Sequence, residues 1–505
     1  MSSNNKKIAS FMLFAIIFLA FLVSCGEGGN ENDNLNDLDS SNNTREEIKE
    51  SEEAAAEKLY PELEAVDFGG YEFTFLSRTI DSADWAEWNH RDISAEKENG
   101  DVINDAVFAR NRKIEEKYNI KIKEIVLEAS NFTAKIQQSV KAGDHMFDVI
   151  ALHFNAFAPF AQGGDLINLF DVHNLDFAKP WWSQACVRDL SIINKLFIIR
   201  GDLTIMDNDA MEAMIFNKSV LQDYSLENPY DIVKKGEWTF EKLMQMSKDI
   251  SKDLNGDGKM YIKDDMFGYI LQGDTAASFI VSGGERICAK DENDRPIITF
   301  GSERSYKITD FLSEMFSDTA NSVNLHNYEN QFPIYDEQVK MFSENRALFS
   351  WIRMRIVERL RAMEMDFGIL PLPKLDKNQE KYMTHINAPT GTGLSIPVTA
   401  DNLERIGMIL EDLCAESKYT LQPAYYDINL RGKYARDDES QEMLDIILSD
   451  NAVQDIGRIF NFGNFYMLTC GRYGRDTTIE WASTFEKVRG VMETDIEKMI
   501  AAYEN

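Results

Sequence analysis

Tyr71-Glu-Phe-Thr-Phe-Leu-Ser-Arg78 alternates aromatic and polar positions, as a half-buried strand does. Val102, Ile103, Ala106, Val107, Ile114 and Tyr118 then recur at helical spacing, and residues 120–127 follow as a second strand. Asn131 stands where it can cap a helix carrying Phe132, Ile136 and Val140, which Gly143 stops. FDVIAL, residues 147–152, is a short apolar run of the kind a strand buried on both faces requires. Strand, helix, strand, helix, strand predicts an α/β fold opening with a parallel sheet.

Beyond residue 153 the pattern holds more helix than strand. Residues 195–200 and 213–216 predict strands, and Thr239 caps a helix running to Ile250. Phe267-Gly-Tyr-Ile-Leu271, FGILPLP (367–373) and GLSIP (393–397) predict further strands, followed by a helix from about Asn402 to Cys414. The tail from Gln441 is mainly helical, and no internal repeat is present.

The amino terminus has a different grammar. Lys6 and Lys7 precede an apolar run from Ile8 to Val23, and Leu-Val-Ser-Cys25 closes it. That order predicts a secretory signal, residues 1–24, rather than a fold element or a membrane span. The last four residues resemble the lipobox of bacterial lipoproteins, which implies lipidation (palmitate) of Cys25. Residues 25–65 are dominated by acidic, Gly, Asn and Ser positions: thirteen Asp and Glu against Arg45, Lys49 and Lys58 from residue 26 on. Such a stretch cannot bury enough to offset its ordering entropy, so it predicts a disordered tether.

The remaining length exceeds one ordinary domain, and two or more lobes are expected. The formal net charge of −32 argues against a nucleic-acid partner, whose phosphates demand basic surface. Cys186, Cys288, Cys414 and Cys470 are far apart with no CxxC, so neither zinc nor redox chemistry is indicated. Their spacing leaves buried thiols and one or two disulfides both open, with buried thiols preferred.

One stretch carries cation chemistry. DLNGDGKMYIKD (253–264) places Asp253, Asn255 and Asp257 at positions 1, 3 and 5 of a calcium-type loop, with Gly258 at 6 and Asp264 at 12. Lys259 would offer its carbonyl and Tyr261 a water-bridged contact. A single loop followed by a strand is not a sensor, so the expectation is one structural Ca2+ clip; an acidic turn needing no ion is the alternative. Enzyme signatures (GxSxG, HExxH, GxGxxG, GxxxxGK[ST]) are absent.

The order of segments resembles a known family. FDVIALHFNAFAPFAQGGDLINL (147–169), AMEAMIFNKSVL (210–221), ENPYDIVKKGEWTFEKLMQMSKD (227–249), FSENRALFSW (342–351) and FGILPLPK (367–374) are similar to successive segments of the extracellular solute-binding proteins, family 1. These are the lipoprotein receptors of ABC sugar importers. The resemblance covers roughly residues 66–430. It implies a two-lobe type II periplasmic-binding-protein-like fold whose crossing strands form hinges near Ala210, Phe367 and Pro423. Lobe one would hold 66–210 and 367–423, lobe two 211–366 and 424–505, with a helix-rich C-terminal part.

It also implies a monomer tethered to the outer face of the cell membrane, binding a carbohydrate for ABC permease subunits and catalysing nothing. Sugar sites combine flat aromatic faces with planar polar side chains. At the cleft-facing strand ends that the family implies, the candidates are Arg78, Trp85, Trp88, Asn155, Asp207, Asp209, Trp351, Arg353 and Tyr466, the last beside Phe465. Trp181, Trp182, Trp238 and Trp481 are expected in the core, and His153 as a cleft neighbour or packed side chain. A secreted carbohydrate-active enzyme and a cell-surface adhesion or scaffold lipoprotein are the alternatives.

Overall fold

Three parallel strands open the fold: β1 (Tyr71–Thr79), β2 (Ile120–Glu128) and β3 (Val149–His153), with β1 between the other two. Tyr71 lies opposite Ile120, Arg78 opposite Leu127 and Phe75 opposite Val149, so β1 and β3 end near each other at Arg78 and His153. The computed structural model describes residues 58–79, 88–128, 131–360, 366–426, 438–449 and 452–504. Cys25, Trp85, the signal and nearly all of the tether lie outside the described residues.

The helix Val102–Tyr118 starts where the Asp101 side chain accepts the Asn104 amide, and ends on Asn119 in the left-handed region. Phe132–Ala142 ends on Gly143 at φ 65°, as its sequence predicts, although the Asn131 side chain makes no capping bond.

A second sheet follows the order β10-β4-β9-β5-β8. Its members are β4 (Glu212–Asn217), β5 (Phe267–Leu271), β8 (Ser322–Asn324), β9 (Ala347–Arg353) and β10 (Phe367–Leu370); a hairpin of β6 (Cys288–Lys290) and β7 (Pro296–Ile298) stands apart. β9, β5, β8 and β10 all run in one direction, and β4 alone runs against them, antiparallel to both of its neighbours β9 and β10. Every residue of β4, β5, β9 and β10 is buried. This is why those strands appear as unbroken apolar runs rather than alternation.

The chain then forms β11 (Thr384–His385), paired with β13 (Ala452–Val453), and returns to the first sheet at β12 (Thr392–Ser395), antiparallel to β3. Phe367–Leu370, where lobe one was expected to resume, is thus hydrogen-bonded to β4 in the second sheet. The return to the first sheet comes only at β12.

Two local expectations change. Residues 195–200 form no strand; Ile199 exchanges backbone hydrogen bonds with Leu394 and the pairing extends no further. The helix capped by Thr239 ends at Ser247, not Ile250, because Lys248 is extended and Asp249 has φ 61°. Cys186, Cys288, Cys414 and Cys470 are buried thiols.

The C-terminal part is fastened by aromatic packing. Phe300 meets Phe465 at 4.8 Å and Phe485 at 5.4 Å, and Tyr473 meets Trp481 at 5.0 Å. Each buried ring contributes about 1.5–3 kcal/mol. Gly474 lies so close to Gly273 that a Cβ there would fall 2.4 Å from the Gly273 Cα. Only glycine permits this approach of residue 474 to the turn that follows β5. Among the described residues no helix is long and apolar enough to cross a membrane.

Candidate functional site

In open α/β sheets, ligands bind outside the carboxyl ends of the parallel strands. In the second sheet these ends carry Gln272 and Asp274 after β5, His326 after β8 and Arg353 closing β9. Arg353 is the centre. Its guanidinium lies 5.4 Å from the Trp88 ring, 5.7 Å from Tyr335 and 5.8 Å from Trp351, and it pairs with Asp274. Burial costs the Asp274 carboxylate, but Arg353 and Arg458 outweigh that cost and hold its pKa below the ordinary range. Three residues chosen from sequence, Trp88, Trp351 and Arg353, thus converge. Trp88 and Trp351 both differ from expectation: they are 2% and 1% exposed, so neither is an open platform, and Trp351, which donates its indole N–H to Ser278 Oγ at 2.8 Å, is the floor of the box.

Beside this box stands a buried polar knot. Glu212, at the start of β4, is 0% exposed. Its Oε2 stands 2.7 Å from His385 Nε2 and receives the Ser278 hydroxyl, and its Oε1 accepts Asn387 Nδ2 at 2.9 Å. Burial raises the Glu212 pKa, but His385 and Arg458 more than reverse this and leave it low. Burial lowers that of His385. Arg458 contacts His385 and lies 5.0 Å from the Tyr466 ring, while its Nε and Nη2 are buried without a hydrogen-bond acceptor. Tyr466 is therefore at the site, packed on a cation.

Arg78 marks the carboxyl end of the first sheet. Its Nη1 donates to His153 Nδ1 and to the Pro389 carbonyl, both at 3.1 Å, and its Nη2 to the Thr390 carbonyl at 3.3 Å. His153 is kept neutral, its pKa pushed down to about 3 by burial and then by Arg78 and His90. Asn155 is exposed in the short turn after β3.

Asp209 is 1% exposed within a network of Arg91 (3.1 Å), Arg355 (3.3 Å) and the Tyr425 hydroxyl (3.0 Å), with Glu358 bridging both arginines. Asp207 instead faces Arg200 at 3.4 Å and Thr204 at 3.2 Å, and neither is a member of the Arg353 box. Burial raises its pKa to about 7.

The four other tryptophans are structural: Trp181 and Trp182 donate to Glu411, Trp238 donates to the Pro371 carbonyl, and Trp481 packs on Tyr473. A groove of about 510 Å³ lined by Asp67, Arg112, Glu115 and Lys117 lies at the amino ends of β1 and β2, opposite the strand ends that carry the site.

The loop at 253–264 is closed by its own side chains. Asp253 accepts the Gly256 and Gly258 amides at 2.6 and 2.8 Å, Asn255 accepts Asp257 N–H, and Asp257 accepts Lys259 N–H. Asp264 is exposed. The buried carboxylate that closes the loop is its neighbour Asp265, which accepts Leu254 N–H at 2.9 Å and Tyr261 N–H at 2.6 Å. Among the described residues no three His, Cys, Asp or Glu side chains are grouped to hold a metal ion.

Sequence reasoning missed Glu212, Asp274, Tyr335, His385, Asn387 and Arg458. Two of these had a signal. Glu212 is the lone acid in the apolar strand AMEAMIFN, and charge in a doubly buried strand is exceptional without a partner. Asp274 follows the apolar run FGYIL by three residues, where strand ends deliver ligand groups.

No family model and no curated protein matches this sequence. Solved structures do. A cyclo/maltodextrin-binding protein complexed with maltotetraose superposes with a TM-score of 0.57 at 11% identity, covering 85% of this chain and 98% of that one. The maltose-binding protein MalE from Listeria monocytogenes in complex with maltose gives 0.53 at 14% identity, with 85% and 98% covered. An ABC substrate-binding protein from the same organism, in complex with cycloalternan, gives 0.52 at 12%, with 85% and 99% covered. The chain has the two-lobe type II periplasmic-binding-protein fold.

Proposed function

We propose that this chain is the solute-binding protein of an ABC importer, an extracytoplasmic receptor that captures a carbohydrate and hands it to membrane permease subunits. It performs no chemistry on its ligand. The observation that carries this reading is the Arg353 box. Trp88, from the segment after β1, and Trp351 and Tyr335, from the second sheet and its flanking helix, surround one planar cation at a strand end. Aromatic faces beside planar hydrogen-bonding groups are what a pyranose requires. The proteins of the same fold named above were solved with maltotetraose, maltose and cycloalternan.

In this reading lipid on Cys25 and the acidic tether hold a monomer at the outer face of the membrane. The lobes close on the ligand about hinges near Ala210 and Pro423, with the crossing strand β10 between them. Calorimetry against a panel of neutral and acidic mono- and oligosaccharides tests it: saturable binding without turnover is expected. Product formation would favour the enzyme, and failure of every saccharide to bind would overturn the carbohydrate reading.

A further inference from the structure

Asp274, the carboxylate paired with Arg353, lies in the turn 272–275 that follows β5. Three amides of this turn find acceptors within it. Gln272 N–H donates to Thr275 Oγ1 at 3.1 Å, Asp274 N–H to Gln272 Oε1 at 3.4 Å and Thr275 N–H to the Gln272 carbonyl at 3.0 Å. The fourth, Gly273 N–H, reaches out to His326 Nδ1 at 3.2 Å. The imidazole also lies against Gly273 itself, where a Cβ would stand 3.1 Å from His326 Nε2. Asn324, closing β8, accepts His326 N–H at 3.1 Å and donates to the Gly474 carbonyl at 2.7 Å, which ties the imidazole to the residue packed on Gly273. A backbone N–H can only donate, so His326 Nδ1 is unprotonated and the ring proton sits on Nε2, 3.9 Å from Glu329. Of these acceptors, the imidazole is the one that titrates near neutral pH.

We infer that His326 is a positioning residue for ligand capture: neutral, it fixes Gly273 and with it the place of Asp274 against Arg353; protonated, it gives up the Gly273 amide, the turn relaxes and the affinity of the Arg353 box falls. The inference rests on the reading of that box as the binding site. A site held in its binding geometry before the ligand arrives does not spend affinity on ordering itself. The groups that face the imidazole come from four elements: Glu329 from its own turn, Asp274 after β5, Arg353 closing β9 and Arg475 from the C-terminal part, itself 2.8 Å from Glu329. Burial and then Arg475 lower the His326 pKa, Glu329 and Asp274 oppose this, and the net shift is downward, so the ring is neutral at pH 7. Tyr335, from the helix Ile334–Ser343 packed on this turn, keeps its proton because burial raises its pKa. One proton competing with the ligand lowers affinity by up to about tenfold per pH unit below the imidazole pKa, and the bound ligand lowers that pKa in return.

Calorimetry of maltotetraose binding to the full chain, from about pH 7.5 to about pH 5, tests the inference. Wild-type affinity should hold near neutrality and fall as the pH drops. His326→Asn, whose Oδ1 can accept where Nδ1 does and does not titrate, should match wild type at the upper end and lose the slope. His326→Phe keeps a ring without the acceptor and should bind weakly throughout. A flat wild-type profile, wild-type affinity in His326→Phe, or a slope that survives in His326→Asn, as titration of His385 or Asp207 would leave, overturns the inference. A second readout needs no saccharide: the NMR signal of the Trp88 indole N–H, identified by its loss in Trp88→Phe, reports on the ring beside Arg353. In the ligand-free chain it should shift with a midpoint below about pH 6.5 in wild type and stay in place in His326→Asn. A signal that does not move in wild type, or moves equally in both, overturns the inference as well. If maltotetraose binds at no pH, the carbohydrate reading loses that saccharide, and the indole signal alone decides the role of His326.

Discussion

The Arg353 guanidinium lies 5.4 Å from the Trp88 ring, and this contact joins the segment leaving the first sheet to the end of a strand in the second. A desolvated cation–π contact is worth about 2 kcal/mol. Arg353→Lys keeps the charge but loses the planar face shared among three rings. We expect it to weaken saccharide binding about tenfold, equivalent to about 1.4 kcal/mol. Calorimetry beside a melting curve checks this; unchanged affinity would remove Arg353 from the site.

The contact also shows what sequence could supply. Trp88 and Arg353 were reachable because the family resemblance places cleft-facing loops after β1 and after the segment FSENRALFSW, not because a local pattern marked β9 as a strand. The knot around Glu212 was not, because its partners are remote in the chain: Ser278 is 66 residues away, His385 is 173 and Asn387 is 175. Period and capping specify elements, and here they gave the strands of the first sheet and β4, β5 and β10 of the second, but not β8 or β9. They say nothing about which strand ends meet. Residues 195–200 show the opposite error, since an apolar run predicts a strand only where a neighbour offers a full edge.

Glu212 should be the side chain whose loss the fold tolerates least. Removing one partner of a buried pair leaves the other uncompensated, at about 3–5 kcal/mol. Glu212→Ala removes the carboxylate from His385 and from Asn387 Nδ2 together. Chemical denaturation should show a loss of that size, whereas Asp264→Ala, on the exposed face of its loop, should cost little. Near-equal midpoints for the two variants would refute the ranking.

Stability should depend on pH in two windows of opposite sign. Glu212 has a folded pKa below its ordinary value, so its stabilisation is present above about pH 4.5 and is lost as pH falls. Asp207 has a folded pKa raised by burial to about 7. Its contribution is present below its unfolded value of about 4 and is lost as pH rises through 7. Melting temperature should therefore peak at about pH 5 and decline toward pH 8. Asp207→Asn should flatten the decline, whatever it does to the absolute value; an unaltered slope would show that Asp207 is ionised throughout.

The loop at 253–264 yields the last test. Asp253, Asn255 and Asp257 close its turns on backbone amides, and Gly256 and Gly258 take positive φ angles of 73° and 79°. Asp264 at position 12 is exposed, while Asp265 ties the loop to the Leu254 and Tyr261 amides. A loop whose twelfth ligand must swing inward to reach the ion should bind weakly, at about 10⁻⁴ to 10⁻³ M. Calcium that binds only the folded state adds about 2.7 kcal/mol at a hundred times its dissociation constant. The melting temperature should thus rise in millimolar calcium and fall with chelator, and Asp257→Ala should abolish the difference. Asp265→Ala should lower the melting temperature in both conditions, because its two amide bonds hold the loop without an ion. Saccharide affinity should be indifferent to all of this, since the loop is tied to the turn before β5 through Asp265 while the Arg353 box stands at the carboxyl ends of the strands. Superimposable melts in calcium and chelator would make the loop an acidic turn held by Asp253 and Asp265 alone.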